Sequence, residues 1–147
     1  MEKDSAVLGL QQKMSKLILA LDQSTQKSGW AIYNPDNNSL VDYGKIEPTG
    51  DIWSRIISLR DWVRFTILSQ NITTLVIEEI QLQNIPGTSR EGNVATFKKL
   101  AFVQAILIEL AINLNIKYEI MPSSRWKSVC GIKGTKRTEQ KKNATRF

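Results

Sequence analysis

The sequence predicts an α/β fold built on a five-stranded mixed sheet, with elements in the order β-β-β-α-β-α-β-α and helices flanking the sheet. Two observations carry this prediction. Three strand-like segments separated by turn signals open the chain, and strand patterns then alternate with helical patterns. Consecutive strands tend to pair as a meander, whereas strands joined through helices tend to run parallel, so the combination predicts a mixed sheet.

The opening three strands are defined by apolar runs and by the turns between them. Residues 16–22 form a continuous apolar run that ends in Asp22, the pattern of a central strand buried on both faces. A second strand is predicted at 30–33, and the turn-forming residues 34–38 separate it from a third strand at 40–46.

The middle of the chain alternates between helix and strand. Residues 51–70 predict an amphipathic helix, because apolar side chains recur there at helical spacing: Ile52, Ile56, Leu59, Val63 and Ile67. A β-branched strand is predicted at 74–80, with carboxylates towards its end. Residues 81–93, which include a Pro-Gly pair, predict a loop, and residues 94–113 predict a helix that is apolar on nearly all sides.

The last third of the chain is less regular. A fifth strand is predicted at Lys117–Met121, a short helix at 123–130, and a further helix from 135 that the end of the chain cuts off. Residues 1–15 have no sustained period, so we expect a flexible tail there and a single domain over residues 16–147. No apolar run reaches the length of about 18 residues that a membrane helix needs. We therefore expect a cytoplasmic protein that does not bind membranes.

Composition excludes several kinds of active site. The chain contains no histidine and one cysteine, Cys130. Triads that depend on histidine, zinc sites with histidine ligands and cysteine clusters are therefore excluded. Any catalysis must use carboxylates, lysines, hydroxyl groups or a bound cation.

Positive charge is concentrated at the end of the chain. Residues 123–147 carry eight Lys or Arg residues against the single acid Glu139, while the other 122 residues have a net charge of −1. A basic segment on a nearly neutral body indicates a polyanionic partner such as nucleic acid. A solvated tail with no ligand is the alternative that charge alone leaves open.

Two carboxylates are the candidate catalytic groups. Asp22 and Glu78 each lie towards the end of a predicted buried strand, where a carboxylate is costly unless it is paired, hydrogen-bonded or bound to a cation. Because the carboxyl ends of parallel strands gather ligands in open sheets, the two acids together predict a Mg²⁺ site. The alternative is that Asp22 only caps the following turn and that Glu78 or Glu79 faces solvent.

Four segments, in the same order along the chain, resemble the RuvC-type Holliday-junction resolvases, and the phage-encoded branch resembles them best. The first contains an Asp before a small polar turn and a Gly-aromatic strand, the second is the acidic strand, the third is the following helix, and the fourth is a strand-Pro-helix-Gly unit. They are residues 19–32 (LALDQSTQKSGWAI), 76–81 (VIEEIQ), 96–105 (TFKKLAFVQA) and 121–131 (MPSSRWKSVCG). The resemblance extends from about residue 16 to residue 142.

The resemblance implies an RNase H-like fold and a Mg²⁺-dependent endonuclease that cuts branched DNA, with Mn²⁺ as a possible substitute. Two cations would assist in-line hydrolysis of a phosphodiester, with Asp22 bridging both ions and Glu78 holding one. The enzyme would act as a homodimer on four-way junctions, in the cytoplasm of a bacterial or phage-infected cell. Basic residues would bind phosphates: Lys98, Lys99, Arg125, Lys127, Lys133, Lys136 and Arg137.

One departure from the family keeps other functions open. The resemblance implies two further acids on the last helix, but after Glu119 the chain has only Glu139. We therefore expect an incomplete last helix and part of the carboxylate set missing, so a protein that binds junctions with little or no cleavage is the second hypothesis. A more distant one is a fragment of a sugar-kinase or actin-type ATPase, whose phosphate-binding turn also follows an apolar strand with an Asp-x-Ser-Thr pattern.

Overall fold

A computed structural model describes residues 15–82, 84–122 and 125 of the chain. Its elements are β1 (Leu17–Asp22), β2 (Ser28–Asn34), β3 (Ser39–Ile46), α1 (Ile52–Ser69), β4 (Ile72–Glu78), α2 (Arg90–Asn113) and β5 (Lys117–Met121). The predicted α/β class and the predicted element order are confirmed over this part of the chain. The predicted tail up to residue 14 and the predicted helices at 123–130 (apart from residue 125) and from 135 lie outside the described residues.

The five strands form one mixed sheet in the order β3-β2-β1-β4-β5. β2 is antiparallel to both β1 and β3, which is the predicted meander. β4 is parallel to β1, and β5 is parallel to β4, because a helix connects the strands in each crossover. β1 therefore lies at the centre of the sheet, and β1, β3, β4 and β5 all end at the same edge, which we call the carboxyl edge.

One face of the sheet is covered by the two helices, and we call it the helix-covered face. Its central side chains are Leu19 and Leu21 on β1 and Leu75 and Ile77 on β4, each at most 4% exposed. They form one core with the buried stripe of α1 (Ile56, Leu59, Val63 and Ile67) and with Val103 and Leu107 of α2. Burying each such side chain contributes about 1.5–3 kcal/mol, so this face is the main source of stability.

Side chains on the opposite face alternate with those of the core. Ile18, Ala20 and Val76 are only partly buried, and Asp22 is exposed. The prediction that β1 is buried on both faces is therefore wrong within the described part of the chain. A continuous apolar run does not distinguish a strand buried on two faces from one buried on a single face, because period-two alternation is hidden when every residue is apolar. We call this second surface the carboxylate face.

Two aromatic rings close the core near β2 and β3. The indole rings of Trp30 and Trp62 lie 5.1 Å apart between centroids, with their planes tilted by 45°. Gly44 on β3 makes room for this pair, since an added Cβ would lie 2.9 Å from the Trp30 ring. The contact between Trp30 of β2 and Trp62 of α1 thereby joins the β2–β3 hairpin to the helix.

Several predicted boundaries differ from those in the structure; the second strand, predicted at 30–33, runs from Ser28 to Asn34. The acidic strand, predicted at 74–80, runs from Ile72 to Glu78, because its pairing with β1 starts at Leu17↔Ile72 and its pairing with β5 ends at Glu78↔Met121. The second helix was predicted to start at residue 94 and starts at Arg90, because the Ser89 side chain accepts a hydrogen bond from the Gly92 N–H at 3.0 Å and caps it. In the described part of the chain, neither helix is long and apolar enough to cross a membrane.

The cap of α1 makes stability depend on pH. Asp51 Oδ1 accepts a hydrogen bond from the Ser54 N–H at 2.9 Å, and this bond holds the pKa of the Asp51 carboxyl below its usual range. A carboxyl whose folded-state pKa is lowered stabilises the fold above its unfolded-state pKa, and that contribution is lost as the pH falls through the folded-state value. We expect Asp51→Ala to lower the melting temperature at pH 7 and to differ less from wild type as the pH falls below about 4.

Asp51→Asn is the matched control, because the amide oxygen still caps the helix but does not titrate in this range. Thermal unfolding by circular dichroism from pH 7 down to pH 3 measures both differences. A gap between Asp51→Ala and wild type that is constant over this range would contradict the role assigned to the carboxylate.

Candidate active site

The two candidate acids end neighbouring parallel strands. Asp22 is the last residue of β1 and Glu78 is the last residue of β4. The β1–β4 ladder pairs Ala20 with Val76 and Leu21 with Ile77, so the next step of the same register sets Asp22 beside Glu78. Neighbouring strands are about 4.8 Å apart, so both carboxylates belong to one small site at the carboxyl edge.

Both acids lie on the carboxylate face. Leu21 and Ile77 point into the core, and side chains alternate along a strand, so Asp22 and Glu78 share the opposite face. Glu79 follows the end of β4; its N–H donates to the Met121 carbonyl at 3.0 Å and its side chain is exposed. Glu78, rather than Glu79, is therefore the acid that accompanies Asp22, although the catalytic role of both residues stays a prediction.

A buried glutamine, which the sequence analysis did not identify, holds the two strand ends together. Gln23 follows Asp22 and is 7% exposed. Its Nε2 donates to the Glu78 carbonyl at 2.6 Å, and its Oε1 accepts from the Glu78 N–H at 3.1 Å. The side-chain amide thus replaces the backbone partner that β1 no longer provides, and it fixes the backbone from which the Glu78 carboxylate projects.

The turn after Gln23 is closed by a second buried polar side chain. Ser28 is 1% exposed, and its hydroxyl accepts from the Ser24 N–H at 3.0 Å and donates to the Ser24 carbonyl at 3.2 Å. This pair of bonds satisfies buried backbone groups that would otherwise cost about 1–3 kcal/mol each. The β1–β2 turn therefore has a defined shape immediately beside the two acids.

The donor set fits a hard divalent cation. Asp22 and Glu78 offer carboxylate oxygens, and oxygen ligands are those that Mg²⁺ and Mn²⁺ prefer. Within residues 15–82, 84–122 and 125, no cluster of three or more acid or cysteine side chains has the geometry of a metal site. The described acids could thus hold part of a coordination shell, with water or a substrate oxygen as the other ligands.

A group of opposite charge lies along the same edge of the sheet. Lys27 Nζ and Lys45 Nζ contact the same Glu47 oxygen, at 3.3 and 3.5 Å. The hydrogen bond and positive charge of Lys27, with a further contribution from Lys45, hold the pKa of the Glu47 carboxyl below its usual range. We call these three residues the lysine pair and its bridging acid; no local pattern in the sequence indicated that they would lie together at this edge of the sheet.

The described structure contains three of the predicted DNA-binding residues. Lys98 and Lys99 are exposed on the first half of α2, before Val103, the first buried apolar side chain of that helix. Arg125 forms an ion pair with Glu119 at 3.5 Å, beside the outer strand β5. Lys127, Lys133, Lys136 and Arg137 lie outside the described residues. The binding of phosphates by the predicted basic residues stays a prediction.

Comparison with solved structures identifies the fold. The chain is similar to RuvC of Thermus thermophilus in complex with a Holliday junction substrate, with a TM-score of 0.63, 8% identity, and coverage of 77% of this chain and 68% of that chain. A second Thermus thermophilus RuvC structure gives a TM-score of 0.60 at 9% identity, over 84% of this chain and 74% of that one.

The yeast mitochondrial Holliday junction resolvase Ydc2 gives a TM-score of 0.54 at 15% identity; the match covers 90% of this chain and 62% of that chain. No protein-family model matches the sequence, and no curated protein matches it either. The chain therefore has the RNase H-like fold of these resolvases, and its chemistry has to be argued from its own residues.

Replacing Gln23 tests how the site is held together. Gln23→Met keeps the volume but removes the two hydrogen bonds to the Glu78 N–H and carbonyl, so we expect it to destabilise the protein by about 2 kcal/mol in urea unfolding. Gln26→Met, on the exposed part of the same turn, is the matched control and should stay within about 0.5 kcal/mol of wild type. An equal effect of the two substitutions would mean that water replaces the Gln23 amide.

Proposed function

We propose that this chain is a divalent-cation-dependent endonuclease that hydrolyses phosphodiester bonds in four-way DNA junctions. The single observation that carries the proposal is the side-by-side position of Asp22 and Glu78 on the carboxylate face of a sheet with the RuvC fold. The RuvC structure in complex with a Holliday junction substrate favours branched DNA over other polyanions. Mg²⁺ is the expected ion, with Mn²⁺ as a substitute.

The residues of this chain would act by binding and orienting. When bound, a pair of divalent cations supplies charge neutralisation and a water of lowered pKa. Asp22, at the end of the central strand, would contact both cations, and Glu78 would hold one from the neighbouring strand. Gln23 would keep the backbone of Glu78 in register, so that the two carboxylates approach the scissile phosphate with fixed geometry, on which much of the rate depends.

The assembly and the setting are part of the same proposal. Symmetric cleavage of a four-way junction needs two sites, so a homodimer is the expected working form. Membership of the phage-encoded branch and action in the cytoplasm of a bacterial or phage-infected cell follow from the sequence resemblance alone. The basic segment over residues 123–147, which apart from residue 125 lies outside the described residues, would add phosphate contacts.

Junction binding without efficient cleavage is the second candidate. It is favoured by the small number of acids at the site, because no third acid joins Asp22 and Glu78 in a metal-site cluster among the described residues. A site with two carboxylates neutralises less charge and fixes cations less well than one with four. The two candidates differ in the rate of cleavage and agree in junction affinity.

Neutral replacements of the two acids test the proposal directly. We expect Asp22→Asn and Glu78→Gln each to slow single-turnover nicking of a labelled four-way junction in Mg²⁺ or Mn²⁺ by at least about 100-fold, since positioning is lost. Junction affinity measured without divalent cations should not fall in either variant. Cation binding, followed by the rise in melting temperature on adding Mn²⁺, should weaken in parallel with the rate.

Glu79→Gln is the matched control, because it makes the same charge change one residue away and off the carboxylate face; it should nick at the wild-type rate. Wild-type protein that binds the junction but does not nick it would favour the second candidate. Failure to bind four-way junctions at all would contradict both candidates.

A further inference from the structure

The lysine pair and its bridging acid are in line with the carboxylates across the sheet. The ladders pair Asp22 with Gly29, and Gly29 with Lys45, so Glu78, Asp22, Gly29 and Lys45 occupy one row on four adjacent strands. Directly paired residues share a face, so Lys45 projects from the carboxylate face, as Asp22 does. Neither the helix core nor the outer strand β5 separates Lys45 from Asp22.

Gly29 leaves the space between the two charged groups open. A Cβ added at Gly29 would lie 3.9 Å from the Asp22 Cβ, so the glycine and the aspartate face the same side. Lys45 is two strands from Asp22, a separation of about 10 Å at the usual strand spacing. Because glycine has no side chain, β2 presents only backbone atoms at this position, between Asp22 and Lys45.

The lysine pair can exchange its bridging acid for an incoming anion. Lys27, Lys45 and Glu47 are each more than half exposed. Ion pairs between exposed side chains contribute little to stability, so an incoming phosphate can displace Glu47 at small cost. Two lysines on one carboxylate leave an excess positive charge beside a carboxylate pair that would, by itself, repel DNA.

We propose that Lys27 and Lys45 bind the phosphates of the substrate strand that flank the scissile phosphate, and that Glu47 occupies this subsite until DNA displaces it. The substrate strand would cross the bare backbone at Gly29, with the scissile phosphate at Asp22 and Glu78. The inference rests on the proposed function, because it requires a nucleic-acid strand at the carboxylates. It assigns a DNA contact on the carboxylate face that the sequence analysis did not identify.

Substitutions that are expected to change DNA affinity in opposite directions test the subsite. Affinity for a fluorescent four-way junction is measured by anisotropy without divalent cations, over about 50–200 mM salt. We expect Glu47→Gln to tighten binding about threefold at low salt, because it frees both lysines. The double variant Lys27→Gln/Lys45→Gln should weaken binding about tenfold and reduce the slope of log affinity against log salt by nearly two.

Matched controls separate the subsite from a general effect of charge. Asp61→Asn frees Arg60 from an exposed ion pair on α1 and makes the same charge change as Glu47→Gln. Lys16→Gln/Lys117→Gln removes two exposed lysines at the opposite edge of the sheet, where β1 and β5 begin. Both controls should change affinity and salt slope less than their counterparts do, and melting temperatures verify that all variants are folded.

The outcomes distinguish the subsite from the proposed function. Wild-type binding to junctions, with Glu47→Gln no tighter than Asp61→Asn and the two double lysine variants equally weak, would overturn the subsite and leave the proposed function intact. Absence of wild-type binding to four-way junctions would overturn both. Tighter binding by Glu47→Gln cannot arise from partial unfolding, so it supports the subsite even if a lysine variant is unstable.

Discussion

The parallel pairing of β1 with β4 is the constraint on which the rest of the structure depends. It sets Leu21 beside Ile77 in the core, and therefore sets the next residues, Asp22 and Glu78, side by side on the other face. A shift of one residue in this register would turn the acid of one strand into the helix-covered core, where an unpaired carboxylate costs several kcal/mol. Burial of the apolar side chains thus enforces the geometry of the acids. Gln23 extends the same register one step beyond the last backbone pair.

The two faces of the sheet divide stability from chemistry. The helix-covered face contains the large apolar side chains and tolerates little change in volume. The carboxylate face has small or partly buried residues at its centre and charged residues at the carboxyl edge, with acids on β1 and β4 and lysine on β3. Because β2 runs antiparallel between β1 and β3, the end of β3 returns to the edge where β1 ends. The acids of β1 and β4 and the lysine of β3, which are separated in sequence, therefore contribute charges of opposite sign to one surface.

The similarity to solved resolvases shows how little sequence identity this fold needs. TM-scores of 0.54–0.63 accompany identities of 8–15%. The order of strands and helices and the position of the core follow from an apolar pattern that many sequences satisfy. Chemistry depends on fewer residues, and a shared fold does not transfer it. The case for a nuclease consequently rests on the carboxylate pair of this chain.

The sequence by itself determined the element order, the buried stripe of α1 and the position of Asp22 and Glu78 at strand ends, because these depend on local periodicity. It also restricted the chemistry to oxygen and nitrogen ligands other than histidine. It did not reveal the role of Gln23, since the contact joins residues 55 positions apart and leaves no local pattern. Nor did it reveal that Lys45 shares a face of the sheet with the two carboxylates. Strand order and register decide which distant side chains share a face, and only the packing of the whole sheet fixes them.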